Sequence, residues 1–219
     1  LRFQDVNFQL INLPPLSADY MESWFIDALQ PADAALLVLD IADPECTEHA
    51  EVILNRLKEK KVALLEQWLT PEHEFEVEDD EEPDPFRINL PTLLIANKYD
   101  LDPDPTVLQI LKELLGVEFP SLVTSADSGE GLEKIGALLF DELKIVRVYT
   151  KTPGKPPQMD RPFTVRRGST VLDVARLVHK DLAESLKYAR AWGNEVYDGQ
   201  QVGPEYLLAD TDVVELHMR

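Results

Sequence analysis

Asn97, Lys98 and Asp100 stand together at the end of an apolar run, Pro91-Thr92-Leu93-Leu94-Ile95-Ala96, and their chemistry suits a purine. An ionised Asp accepts from two adjacent donors, which matches the N1–H and exocyclic N2–H₂ edge of guanine. Adenine lacks that donor pair and would leave the carboxylate unpaired, so discrimination against it should be strong. The Asn amide can serve the other purine edge, and the Lys stem can cover the ring face. The plain alternative is an ordinary strand-to-helix turn, since three fixed letters also recur by chance.

The elements around these residues favour a site. A continuous apolar run bounded by prolines reads as a fully buried parallel strand, here residues 91–97. Open α/β sheets bind their ligands beyond the carboxyl ends of such strands. Thr124-Ser125-Ala126 ends the next predicted strand, so a parallel sheet brings it beside Asn97. A tight turn at Ser125 and Ala126 can present backbone N–H groups to the guanine O6, with small side chains that let the base approach.

In chain order, the pattern predicts strands at 1–3 and 6–13, a helix at 20–29, a strand at 34–41 and an amphipathic helix at 47–67. Residues 72–85 hold nine acidic residues, two prolines and no basic residue, which reads as a solvated mobile loop. A helix at 106–115, a strand at 119–123 and a helix at 132–142 follow. This alternation means a mostly parallel sheet with helices on both faces. Strands at 145–149, 162–165, 188–192 and 212–216 with a helix at 169–179 then make a small α+β, ubiquitin-like unit. The expected domains are 1–142 and 143–219.

Charge divides the chain at the same place. Residues 1–143 carry 9 basic and 31 acidic residues; residues 144–190 carry 11 basic and 4 acidic. The acidic part should repel nucleic acid, and the basic part could touch it. One cysteine, Cys46, permits no internal disulfide and fits a cytoplasmic location, and four scattered histidines show no metal spacing. No apolar stretch reaches membrane-spanning length, so no membrane partner is expected. No nucleophile–base pair is evident, and no residue is assigned a catalytic role.

Asn97-Lys98-Tyr99-Asp100 with Ser125-Ala126 resembles the Asn-Lys-x-Asp guanine motif and its companion turn in the GTPases. The tail is the more specific signal: 143–157 (Leu-Lys-Ile-Val-Arg-Val-Tyr-Thr-Lys-Thr-Pro-Gly-Lys-Pro-Pro), with His179-Lys180-Asp181-Leu182 and Lys187-Tyr188-Ala189-Arg190-Ala191-Trp192-Gly193. It closely resembles the TGS domain of the developmentally regulated GTP-binding proteins, in the Obg-related group. The resemblance implies a partial P-loop GTPase-type domain followed by a β-grasp TGS domain. It also implies a GTP/GDP ligand with Mg²⁺, and a role near the ribosome or structured RNA, or with a protein partner.

Two departures stand out. Where that group has Asp-x-x-Gly, this chain reads Asn12-Leu13-Pro14-Pro15, leaving Asn12 as the candidate metal ligand. Asn is neutral and holds Mg²⁺ less well than a carboxylate, and Pro15 has no N–H for a γ-phosphate. No Gly-x-x-x-x-Gly-Lys-Ser/Thr phosphate loop occurs. The chain is then either a piece of a longer GTPase or a degenerate relative keeping a guanine-type pocket in outline. By itself it is expected to bind nucleotide weakly and to be inactive. In the tail, Arg147, Lys151, Lys155, Arg161, Arg166, Arg167, Lys180, Lys187 and Arg190, interleaved with Tyr149, Tyr188 and Trp192, could supply phosphate contacts and stacking faces. Alternatively Tyr188 and Trp192 fill the small core and the cations are solvated.

Overall fold

A computed structural model describes residues 1–14, 23–68 and 86–218. The acidic stretch 72–85, Pro15 and the first residues of the predicted helix at 20–29 lie outside these. The chain divides into two compact units, Leu10–Leu138 and a second made of Leu1–Gln9 with Leu139–Arg219. Leu1–Gln9, expected in the first domain, therefore belongs with the C-terminal unit.

The first unit is built on a parallel sheet. Strand β3 (Ala35–Asp40) pairs with β5 (Ile88–Asn97) from Ala35 opposite Thr92 to Asp40 opposite Asn97. Strand β4 (Val62–Leu65) pairs with the first part of β5, and β6 (Ser121–Val123) with Leu94 to Ala96. Leu93, Leu94, Ile95 and Ala96 are all buried, as the unbroken apolar run requires of a central strand. Leu37, Leu39, Leu94 and Ala96 share one face, since alternate residues of a strand point the same way. They pack with Ala50 of α2 (Cys46–Glu59) and Leu111 of α3 (Val107–Leu115). Helix α1 (Ser23–Leu29) contributes Phe25 and Leu29 to a second cluster with Leu57, Val62 and Leu90.

Three sequence expectations shift here. The helix expected over 47–67 stops at Glu59, because Lys61 turns left-handed at φ 61° and Val62–Leu65 joins the sheet. Strand β5 begins three residues before Pro91, the expected boundary. Pro91 falls where β5 changes neighbours: the β4 pairing ends on it and the β3 pairing starts at Thr92. Proline is tolerated where a ladder breaks. The strand expected over 6–13 is only β2 (Val6–Asn7), paired antiparallel with β1 (Arg2–Phe3), and it takes no part in the parallel sheet.

In the second unit a five-stranded sheet has the order β10-β9-β11-β7-β8. These are β7 (Ile145–Thr150), β8 (Gln158–Arg166), β9 (Leu186–Gly193), β10 (Val196–Val202) and β11 (Asp212–Met218). The central pairing of β11 with β7 is parallel, while β7–β8 and β9–β11 are antiparallel. Helix α5 (Val171–Val178) covers one face, with Val171, Val174 and Ala175 fully buried against Val148, Ala189, Ala191 and Val214. Its start is fixed by a capping box in which Thr170 and Asp173 satisfy each other's backbone N–H groups. A short α6 (Lys180–Ser185) and β10 were not foreseen from the sequence. Helix α4 (Leu132–Glu142) joins the two units.

Candidate functional site

The carboxyl ends of β3, β5 and β6 converge on Asn97. The Ile41 N–H donates to the Asn97 carbonyl at 3.1 Å, tying the end of β3 to β5. Across the other edge, the Thr124 N–H donates to the Ala96 carbonyl at 2.8 Å and the Tyr99 N–H to the Thr124 carbonyl at 3.0 Å. The Asn97 side chain closes the arrangement. Its Oδ1 accepts from the Ala126 N–H at 3.0 Å and from the Thr124 hydroxyl at 3.2 Å. Those two donors fix the amide orientation and leave the Nδ2 hydrogens to point elsewhere.

The loop after β6 is equally constrained. Thr124 and Ser125 are buried, whereas Ala126 is exposed. The Ser125 N–H donates to the Glu130 carbonyl at 2.9 Å, and the Ser125 hydroxyl accepts from the Ser128 N–H at 3.1 Å. The loop closes at Gly131, whose φ is 75°; a Cβ there would lie 2.3 Å from the Val123 carbonyl oxygen. Only glycine fits that approach.

Thus Asn97, Lys98, Asp100, Ser125 and Ala126 are brought to one edge of one sheet, Asp100 exposed at its rim. One expectation changes in detail. Neither the Ser125 nor the Ala126 N–H is turned outward toward a base: the first is engaged by Glu130 and the second by Asn97.

A residue that sequence reasoning missed joins the cluster. Asp40, the last residue of β3, holds the Lys98 ammonium at 2.5 Å through Oδ2, and its Oδ1 accepts from the Ala42 N–H at 3.1 Å. The hydrogen bond to Asp40 raises the Lys98 pKa, and the same bond lowers that of Asp40. The signal was present as an Asp closing an apolar strand, but its register against Asn97 is a tertiary fact.

Asn12 does not join. It lies exposed in irregular chain after β2, outside the parallel sheet. The described residues hold no group of three or more His, Cys, Asp or Glu side chains that could bind a metal. A neutral amide on its own does not fit Mg²⁺, which is held through carboxylates and waters.

In the second unit, several cations of the tail have structural partners. Arg147 pairs with Asp210 and Asp5, and Lys151 pairs with Glu215 and lies 4.2 Å over the Trp192 ring. The Tyr149 hydroxyl donates to Asp5. Tyr188 and Trp192 do not fill the core: Tyr188 stacks on His217 at 4.6 Å, and both aromatics are half-buried. Lys155, Arg161, Arg166, Arg167, Lys180, Lys187 and Arg190 are exposed.

The first unit is a parallel α/β sheet with Asn97 at the convergence of three strand ends, and the second is a β-grasp unit. Residues 146–218 match the TGS domain family. The chain is similar to a GTP-binding protein of Methanocaldococcus jannaschii, 31% identical over 131 residues, covering 59% of this chain and 34% of that protein. It is also similar to the developmentally-regulated G-protein 1 of Arabidopsis thaliana, 37% identical over 100 residues, covering 44% of this chain and 25% of that one. The solved YchF GTPase of Schizosaccharomyces pombe shares the fold at a TM-score of 0.53 with 12% identity, covering 89% of this chain and 75% of that one. The chain spans a quarter to about a third of the length of these two curated relatives. No described helix is long and apolar enough to cross a membrane.

Proposed function

We propose that this chain carries the guanine-recognition part of a cytoplasmic GTP-binding protein whose TGS domain engages the ribosome or structured RNA. The observation that carries the reading is the clasp of Asn97 on Thr124 and Ala126, with Lys98 and Asp100 beside it at the same sheet edge. Asp100 accepts from guanine N1–H and N2–H₂, the free Asn97 amide hydrogens serve the purine's other edge, and the Lys98 stem covers the ring. The exposed cations of the second unit, Arg190 and Lys187 among them, supply contacts to RNA phosphates.

The test is nucleotide binding by the full-length protein. Asp100→Ala is expected to abolish GTP binding; unchanged affinity removes the guanine assignment. A second reading is favoured by the poor fit of Asn12 to Mg²⁺: a catalytically degenerate scaffold whose TGS domain is the working RNA- or protein-binding module. GTP turnover with and without ribosomes separates the two, since the scaffold shows none in either condition.

A further inference from the structure

We propose that Asp40 is a positioning residue of the guanine pocket, acting through Lys98; the proposal rests on the guanine reading above. Asp40 is in parallel register with Asn97, so its carboxylate emerges at the same sheet edge, one strand away. It is itself held, because Oδ1 takes the Ala42 N–H while Oδ2 takes the Lys98 ammonium. Lys98 has a left-handed backbone, φ 69°, which restricts the direction in which its side chain leaves the chain.

Both partners are nearly half exposed, 48% for the Lys98 side chain and 42% for that of Asp40. An ion pair in that setting adds little to stability, so its consequence is geometric. The ammonium is tethered at the end of β3 and the stem must bridge from β5 to reach it. A tethered stem offers a fixed apolar surface to a purine face and loses less rotamer freedom when the base stacks on it.

The pair also controls charge. Asp40 is the chief attraction on the Lys98 ammonium, with Asp43 and then Asp100 adding smaller ones. With its cation held by Asp40, Lys98 does not compete with the guanine N1–H and N2–H₂ edge for the Asp100 carboxylate. Asp40 thereby keeps the specificity carboxylate available and the stacking stem in place.

The experiment measures binding of a fluorescent GDP analogue to the full-length protein, with GDP and ADP as competitors. It compares wild type, Asp40→Asn, Asp40→Glu, Lys98→Met and the Asp40→Asn/Lys98→Met double variant. Asp40→Asn is expected to weaken GDP binding about tenfold, the scale of one hydrogen bond to a charged group, and to lower the preference for GDP over ADP, while its melting temperature remains. Asp40→Glu is expected to recover part of the loss, and the double variant to bind no more weakly than Lys98→Met. Wild-type affinity in Asp40→Asn, or a further tenfold loss when it is added to Lys98→Met, overturns the proposal. A wild-type protein that does not prefer GDP to ADP overturns the guanine reading and this proposal with it.

Discussion

The Ala126 N–H donates to Oδ1 of Asn97 at 3.0 Å, joining residues 29 positions apart at the ends of neighbouring parallel strands. The same oxygen takes the hydroxyl of Thr124, a residue with 1% exposure. Asn97→Ala therefore strands a buried hydroxyl and a loop N–H together. We expect a destabilisation of about 1–3 kcal/mol, read from urea unfolding, alongside loss of nucleotide affinity. An unfolding curve identical to wild type would show the clasp to be incidental.

Gly131 and Gly129 offer an internal comparison. Both have positive φ, 75° and 83°, but a Cβ at Gly131 meets the Val123 carbonyl oxygen at 2.3 Å while one at Gly129 meets nothing within 4 Å. Gly129→Ala should cost only the left-handed strain, about 1 kcal/mol. Gly131→Ala should cost clearly more, about 2–4 kcal/mol, because the chain must move off β6. Equal melting temperatures for the two variants would contradict the close approach.

Arg147 organises the second unit at its N-terminal segment. It bonds Asp210 through Nε at 3.0 Å and Nη2 at 2.6 Å, and through Nη1 it reaches Gln4 at 2.5 Å and Asp5 at 3.0 Å. Its guanidinium also lies 5.3 Å from the centre of the Phe140 ring. The side chain is 14% exposed, so these bonds are shielded from water more than a surface pair is. Arg147→Met should destabilise the unit by about 2–4 kcal/mol and release Leu1–Gln9, which hydrogen exchange at Val6 and Phe8 would detect. Unchanged exchange there would place the anchoring elsewhere.

The pH dependence has a definite sign. Burial pushes Asp5 and Asp210 up, but the bonds from Tyr149 and Arg147 to Asp5, and from Arg147 to Asp210, outweigh it and hold both below their usual 3.8. Glu215 is likewise buried yet lowered by Lys151 and His217, at 3.0 and 2.7 Å. Groups with lowered folded pKa values contribute stability above their unfolded values that is lost as pH falls through the folded ones. Asp212 has the opposite sign: burial raises it, and its Oδ1 has no hydrogen-bond partner. It stabilises below its unfolded value, and that contribution is lost as pH rises through the raised folded value. The lowered carboxylates are the more numerous, so the melting temperature should fall steeply below about pH 4. Arg147→Met should flatten that acid limb, since it removes the partner of two of them; an unaltered slope would refute the assignment.

The sequence by itself determined the α/β and β-grasp fold classes, the buried strand at 91–97 and the candidate residues that follow it. These are legible because a central parallel strand needs an unbroken apolar run, and because an Asn-Lys-x-Asp turn carries its chemistry locally. Only the tertiary structure decided which partners those residues take. The placement of Asp40 beside Lys98 depends on strand register, and the occupation of the Ala126 N–H depends on a neighbour 29 residues away. The removal of Arg147 and Tyr149 from the free surface depends on Leu1–Gln9 packing in the C-terminal unit. Such contacts join segments distant in sequence, and no local pattern of hydrophobicity or charge encodes them.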